Sequence, residues 1–199
     1  MNAALAVAQI GPNAITQVAG ALERAYGATL AREMLRASGL TGYADAPPGR
    51  MVDELEVIAL HRTLRERLPA SDALGIEQEA GRRTADYLLK ARIPAAAQAL
   101  LRLLPARLAS PLLLAAIERH AWTFTGSGRF HATAGRPVVI TIDGCPMCCG
   151  AHAGAPICDY YAATFARLFA VLVHRKARVV ETRCIAAGAP ACRFEVDWR

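Results

Sequence analysis

The chain has 199 residues, a length that suits one large domain or two small ones. Hydrophobic residues make up 54% and charged residues 20%, which excludes a disordered chain, a collagen-like repeat and a disulfide-stapled miniprotein. The net charge of +6 is spread along the chain without a basic block, so we expect no nucleic-acid partner. Arg supplies nearly all of the positive charge, and its planar guanidinium also suits an acidic small molecule.

The sequence predicts no membrane span. The most apolar stretch, residues 95–117, has its longest uncharged part at residues 108–117, well below the ~20 residues that a spanning helix needs. Residues 1–10 are apolar but lack the basic start and the cleavage site of a signal peptide. We therefore expect a cytoplasmic protein whose cysteines stay reduced.

The N-terminal two thirds of the chain predicts helices. Apolar residues recur at helical spacing over residues 14–38, and Gly39 supplies a stop. Further helices are predicted over residues 51–68, 71–91, 94–104 and 111–121. Ser71 is the expected N-cap of the helix that it begins.

The pattern changes near Trp122, after which β-branched and aromatic residues alternate. Two strands are predicted over residues 123–131 and 136–142, and the first contains Gly126-Ser127-Gly128. A Gly/Cys-rich loop, a helix over residues 158–174 and a terminal hairpin formed by residues 177–186 and 191–198 follow.

These elements predict an α+β fold, with a helical N-terminal half packed on a mostly antiparallel sheet that carries one late helix. We expect residues 1–120 to be a helical leader and residues 121–199 to be a ligand-binding domain. The two parts are expected to form one continuous globular unit.

All six cysteines lie in the last third of the chain: Cys145, Cys148, Cys149, Cys158, Cys184 and Cys192. In a reducing compartment this clustering indicates metal or redox chemistry before a disulfide framework. The best signal is the spacing C-x22-E-x2-C-x7-C of Cys158, Glu181, Cys184 and Cys192. Three thiolates and a carboxylate suit tetrahedral Zn²⁺ in a structural site. Because Glu181 and Cys184 point to opposite faces of a regular strand, the strand needs a bulge or a twist between them.

The remaining cysteines form the run Cys145-Pro-Met-Cys148-Cys149. It contains a C-x2-C pair, but the adjacent Cys148 and Cys149 cannot easily both face one iron–sulfur cluster, and a fourth ligand is missing. Cys149 also occupies the position where c-type haem attachment requires His. His152 leaves a second metal site open as an alternative. We expect a loop of incidental, reactive thiols.

Several segments of the C-terminal third share a recognisable pattern: Gly126-Ser-Gly, Cys158-Asp-Tyr-Tyr, Val180-Glu-Thr-Arg-Cys184 and Cys192-Arg-Phe-Glu-Val. They resemble the 4-vinyl-reductase domain family, which includes ligand-sensing domains of phenol- and xylene-responsive transcription activators. The resemblance implies that the Cys, Glu and two Cys at this spacing hold a structural zinc beside a buried hydrophobic pocket. It also implies a fold similar to that of small vesicle-tethering subunits that hold an acyl chain.

The resemblance is strong over about residues 120–199 and weaker over the helical leader. With the Pro-Met-Cys loop included, it is greatest to family members that serve bacteriochlorophyll synthesis in purple phototrophs. It implies a role in reducing the 8-vinyl (formerly 4-vinyl) group of divinyl protochlorophyllide or chlorophyllide, together with other bacteriochlorophyll-synthesis enzymes. Related folds pair through their helices, which implies a homodimer.

No electron source accompanies that expectation. Gly126-Ser127-Gly128 lacks the third glycine and the following helix of a nicotinamide fingerprint. We therefore interpret the chain as a binder of a divinyl magnesium-tetrapyrrole, acting as carrier or accessory for 8-vinyl reduction. Two alternatives remain open: the chain is itself the reductase, or it is a small-molecule sensor that acts through protein contacts.

A magnesium-tetrapyrrole needs apolar and aromatic walls and a few polar anchors. The candidate lining residues are His120, Trp122, Phe124, Phe130, His131, Tyr161 and Phe165. His120 and His131 flank the first predicted strand, where a neutral imidazole can supply an axial nitrogen. Arg129 and Arg136 are both candidates for the propionate, whereas His61, among charged residues, is expected to be solvated.

Overall fold

Helices fill most of the chain before residue 120 in the computed structural model, which describes residues 8–198. The helices are α1 (Asn13–Tyr26), α2 (Ala28–Ala37), α3 (Thr41–Asp45), α4 (Glu54–Arg67), α5 (Ala70–Ala91), α6 (Ala95–Leu103), α7 (Ala106–Arg119) and α8 (Asp159–Leu172). The strands are β1 (Gln9–Ile10), β2 (Val52–Asp53), β3 (Arg129–Thr133), β4 (Val138–Asp143), β5 (Arg178–Arg183) and β6 (Cys192–Asp197). Most of the segment examined for a signal peptide, residues 1–10, lies outside the described residues.

The principal sheet has the strand order β3-β4-β6-β5, and every neighbouring pair is antiparallel. The two-residue strands β1 and β2 pair separately. Alternate residues of β4 and β6 are buried, as a sheet covered on one face requires. The predicted α+β class, with a mostly antiparallel sheet and one late helix, is confirmed.

Helix α8 connects the two halves of the molecule. Its buried residues include Phe165, Leu168 and Phe169, and it also packs closely against α5. A Cβ added at Gly81 of α5 would collide with the carbonyl oxygen of Tyr160 in α8, so this contact needs a glycine. The hydroxyl of Thr164 donates to the Gly81 carbonyl over 3.1 Å, which fixes the two helices at short range.

The single helix predicted over residues 14–38 is wrong, because the chain breaks into α1 and α2 at Gly27. Gly27 has a φ of 87°, a conformation that favours glycine. Apolar residues continue at helical spacing across the break because both helices bury one face, which concealed it in the sequence.

Other predicted boundaries are also wrong. Helix α7 begins at Ala106 after Pro105 and contains Pro111, which was the predicted start. Ser71 does not cap α5; its hydroxyl donates to the Asp72 carboxylate instead. Gly126-Ser127-Gly128 lies in a turn before β3 rather than within a strand, and Ser127 donates from its backbone N–H and hydroxyl to the carboxylate of Glu54.

Within residues 8–198, no helix is both long enough and apolar enough to cross a bilayer.

Candidate metal centre

Five buried thiols converge at one end of the sheet. The Sγ atom of Cys158 lies 3.6 Å from those of Cys145 and Cys192 and 3.8 Å from that of Cys184. The Cys192 Sγ lies 3.4 Å from that of Cys148 and 3.8 Å from that of Cys184. Cys149 is exposed, which confirms that neighbouring Cys148 and Cys149 do not face the same cluster.

Three loops and one strand position these sulfurs. Cys145 and Cys148 flank a 3-10 turn, Pro146–Cys148, that follows β4. Cys158 precedes the first residue of α8, and Cys192 begins β6 opposite Ile142 of β4. A second 3-10 turn, Ile185–Ala187, returns the chain from Cys184 towards β6, so residues distant in sequence meet at one place.

The predicted irregularity in β5 is confirmed. The register with β6 shifts between Glu181 and Arg183, which oppose the consecutive residues Phe194 and Arg193. One additional residue on β5 changes the face to which the following side chains point. Glu181 and Cys184 can therefore approach the same cluster, which a regular strand would prevent.

The Glu181 carboxylate faces the N-terminus of α8. Its Oε2 accepts a hydrogen bond of 2.7 Å from the backbone N–H of Cys158. Its Oε1 is buried and has no hydrogen-bond partner among the described residues. Burial raises the pKa of this carboxyl to about 8, partly offset by the hydrogen bond from Cys158. A buried carboxylate with an unpartnered oxygen is the environment that a bound cation would satisfy.

Two sets of side chains can hold a metal ion. Their donor atoms lie within 4.8 Å of one another in Cys158, Glu181, Cys184 and Cys192, and likewise in Cys145, Cys148, Cys158 and Cys192. Around a tetrahedral Zn²⁺ with Zn–S bonds of about 2.3 Å, neighbouring sulfurs are about 3.8 Å apart. The measured separations of 3.4–3.8 Å match this donor arrangement.

The expectation that Cys145 and Cys148 are incidental thiols of a loop is wrong. Both are 1% exposed and lie in the cluster. Their C-x2-C spacing was the available signal, but whether the loop folds towards Cys158 depends on tertiary contacts. His152, the alternative partner for these thiols, is exposed.

Side chains from two N-terminal helices support the cysteine loops, and sequence reasoning missed them. The Arg65 guanidinium donates to the carbonyl oxygens of Met147 over 2.6 Å and Ile157 over 3.2 Å. It also lies 2.6 Å from the buried Glu77 carboxylate. Arg65 thus connects the loop that carries Cys145 and Cys148 to the residue before Cys158.

His61 is fully buried, so the expectation that it is solvated is wrong. Its Nδ1 lies 3.2 Å from the same Glu77 oxygen that Arg65 approaches, and its ring meets Tyr160 edge-on. Its Nε2 is buried without a hydrogen-bond partner in the described part of the chain. The neighbouring charged residues suggested a solvated face because the position of Glu77 in the fold was not known.

Four of the predicted pigment-lining residues form one aromatic cluster: Phe124, Phe130, Tyr161 and Phe165. Ring centroids are 5.8–6.3 Å apart, so the side chains fill the space between them. Phe194 of β6 joins this cluster, and the Tyr161 hydroxyl donates to the Phe124 carbonyl over 2.5 Å.

The other three predicted lining residues are exposed. Trp122 is 63% exposed, and the Nδ1 of His120 lies 2.9 Å from the Ala116 carbonyl oxygen. The Nε2 of His131 lies 3.2 Å from the Asp143 carboxylate. Of the two arginine candidates for a propionate, Arg136 stacks on Trp198 with its guanidinium carbon 5.7 Å from the ring centroid.

A groove of about 630 Å³ lies between α5, α8 and β5 and ends at Glu181. Small side chains of α8 form its floor: Ala162, Ala163, Ala166 and Ala170. Arg82 and Arg167 border it, and each is paired with a carboxylate of α5. Sequence reasoning missed this groove because its walls come from three separate elements.

Comparison with known proteins places this site within a matched segment. The family model of the 4-vinyl-reductase domain matches residues 138–197, which include every cysteine of the cluster. The bacteriochlorophyll synthase 23 kDa chain of Cereibacter sphaeroides is 45% identical over 188 residues, covering 94% of this chain and 90% of that protein. The chain of the same name from Rhodobacter capsulatus is 39% identical, covering 94% and 85%.

Solved structures with a similar fold are H-NOX proteins. The Fe(II) unliganded H-NOX protein from K. algicida gives a TM-score of 0.61 at 10% identity, covering 96% of this chain and 97% of that one. An H-NOX protein examined for the function of heme distortion gives 0.60 at 12% identity, covering 96% and 95%. At these identities the likeness concerns the fold alone.

Proposed function

Because this chain belongs to the family of bacteriochlorophyll synthase 23 kDa chains, we propose that it binds a divinyl magnesium-tetrapyrrole and serves bacteriochlorophyll synthesis. It acts as carrier or accessory for 8-vinyl reduction, beside other enzymes of that synthesis. The observation that supports this most is 45% identity over 94% of the chain. The resemblance to the 4-vinyl-reductase domain family, predicted from sequence, is confirmed by the match to the model of that domain.

The similar fold of the H-NOX proteins is compatible with a tetrapyrrole ligand, since one of them is described by the distortion of its heme. In this proposal residues 121–199 hold both the pigment and the metal, and residues 1–120 pack on them in one unit. The arrangement offers no nicotinamide fingerprint at Gly126-Ser127-Gly128, because this segment is a turn between a 3-10 turn and a strand. That favours a carrier over a reductase.

Two surfaces are candidates for the pigment. The predicted aromatic set ends in exposed Trp122, with His120 and His131 available as axial ligands, but its inner rings must separate to admit a macrocycle. The groove beside α8 is already open, and its volume of about 630 Å³ lies within the ~300–1,000 Å³ usual for ligand sites. Arg82 or Arg167 at its border can pair with a propionate.

We also propose that Cys158, Glu181, Cys184 and Cys192 hold a structural zinc. Three thiolates and one carboxylate suit its tetrahedral coordination, and the unpartnered Glu181 Oε1 supplies a donor. When bound, the ion neutralises the buried thiolates and ties the start of α8 to β5 and β6. The residues themselves set the orientation: the Cys158 N–H holds the carboxylate by hydrogen bonding to Oε2.

The test incubates the purified full-length chain anaerobically with divinyl protochlorophyllide, with and without NADPH. Absorbance reports binding, and chromatography reports the product. A saturable absorbance shift without monovinyl product is expected. Monovinyl product that requires NADPH would make the chain itself the reductase, and competition by phenol for the same site would favour a sensor. Absence of both shift and product contradicts the proposal.

Single variants separate the two surfaces. Loss of the shift in Trp122→Ala or His131→Ala, with His174→Ala as the control, would place the pigment on the predicted aromatic set. Loss of the shift in Ala166→Phe, which fills the groove, would place it beside α8. Ala115→Phe adds the same ring on an exposed position of α7 and is the matched control.

A further inference from the structure

The cysteine cluster has more donors than one metal ion can use. A tetrahedral zinc takes four ligands, whereas five buried thiols and the Glu181 carboxylate meet here. The zinc proposed above leaves Cys145 and Cys148 without a role. Both thiols are nonetheless buried, and each lies within 3.6 Å of a sulfur of that set.

The two possible ligand sets share one edge. Cys158 and Cys192 belong to both sets, and their sulfurs are 3.6 Å apart. Cys145 and Cys148 complete one set, while Glu181 and Cys184 complete the other. Two tetrahedra that share an edge require six ligands: two that bridge and two more at each ion. The cluster supplies these six.

We propose that the cluster binds two zinc ions bridged by the thiolates of Cys158 and Cys192. Cys145 and Cys148 are the terminal ligands of the second ion. This inference rests on the proposed structural zinc and extends it to a thiolate-bridged pair.

Charge favours the pair over a single ion. Five thiolates and one carboxylate carry six negative charges, and burying uncompensated charge is costly. Each of the five sulfurs belongs to a residue that is at most 1% exposed, so water cannot offset this charge. Two Zn²⁺ ions reduce the charge of the six ligands to the value that one Zn²⁺ gives with three thiolates and a carboxylate.

The surrounding contacts hold the second pair of thiols in place. Arg65 donates to the Met147 carbonyl, between Cys145 and Cys148, and to the Ile157 carbonyl, beside Cys158. The same guanidinium therefore fixes a terminal pair and a bridging residue. A [2Fe–2S] cluster fits less well, because its inorganic sulfides would need the bridging positions that the Cys158 and Cys192 sulfurs occupy.

The experiment measures metal and protein in the full-length chain purified anaerobically with zinc and without chelators. Two zinc ions per chain are expected in the wild type. Cys145→Ala/Cys148→Ala should retain one, and the exposed-site control Cys149→Ala should retain two. X-ray absorption at the zinc edge should show a zinc neighbour at about 3 Å, given Zn–S bonds of about 2.3 Å. That neighbour should be absent from the double variant.

Each other outcome contradicts a defined part of the assignment. One zinc per chain in the wild type, with no zinc neighbour, overturns the bridged pair but leaves the structural zinc intact. No zinc, or iron with acid-labile sulfide, overturns both. Because the wild type alone decides the stoichiometry, misfolding of the double variant does not prevent the test. Pigment binding is measured separately, so its failure is distinguishable from either result.

Discussion

The cysteine cluster and the aromatic cluster are both buried where α8 meets the sheet, but they satisfy their atoms differently. The rings of Phe124, Tyr161 and Phe165 contact one another, and the Tyr161 hydroxyl finds a backbone carbonyl. The thiols have mainly one another, and Glu181 Oε1 has no partner in the described residues. The difference teaches that equal burial does not mean equal completeness: the first cluster is stable as packed, whereas the second requires a cation.

Removing a shared cysteine should give the largest effect. Cys192→Ala deletes a ligand common to both metal sets, so we expect loss of bound zinc and a decrease of about 3–5 kcal/mol or more in the free energy of unfolding. Metal analysis and urea unfolding measure the two effects. Cys149→Ala, on the exposed neighbour, should change stability by less than about 0.5 kcal/mol. Retention of all zinc by Cys192→Ala would contradict the ligand assignment.

The aromatic cluster should show destabilisation without loss of metal. Phe165→Ala removes a ring that contacts Phe124, Phe130, Tyr161 and Phe194. The resulting cavity should cost about 3–5 kcal/mol, with unchanged zinc content in the folded fraction. Phe165→Leu, which retains more of the volume, should cost less. A decrease in zinc content that matches the Cys192 variant would show that the two clusters are not independent.

Arg65 tests how far the cysteine cluster depends on the helices. Arg65→Ala leaves the buried Glu77 carboxylate without its guanidinium and frees two loop carbonyls, so we expect a loss of about 3 kcal/mol and weaker zinc retention against a chelator. Adding Glu77→Gln removes the uncompensated charge and should restore part of the stability. It should not restore zinc retention, because the carbonyl contacts remain absent.

The smallest effect is expected at the helix contact that both clusters share. Gly81→Ala places a methyl group against the Tyr160 carbonyl, and the resulting shift of α8 should cost about 1–3 kcal/mol. Gly75→Ala is the matched control on the same helix, since a Cβ there meets nothing within 4 Å. It should stabilise α5 by up to about 1 kcal/mol. Thermal unfolding distinguishes the two signs.

Several parts of the fold were predictable because their signals are local. The spacing of Cys158, Glu181, Cys184 and Cys192 and the stereochemistry of a strand together required the bulge that β5 contains. The break at Gly27 was not predictable in the same way, since buried faces on both sides preserve one apolar period. Pro111 misled for a related reason: proline is common at helix starts, and Pro105 occupies that position instead.

The sequence by itself determined the fold class, the family and one set of four candidate metal ligands, because periodicity, turn residues and ligand spacing are properties of neighbouring residues. Only the tertiary structure brought Cys145 and Cys148 to Cys158 and Cys192, and Arg65 of α4 to the loops that carry them. It also buried His61 beside Glu77 and opened the groove between α5, α8 and β5. These features join residues far apart in the chain, and their proximity depends on how helices pack on a sheet, which no local pattern encodes.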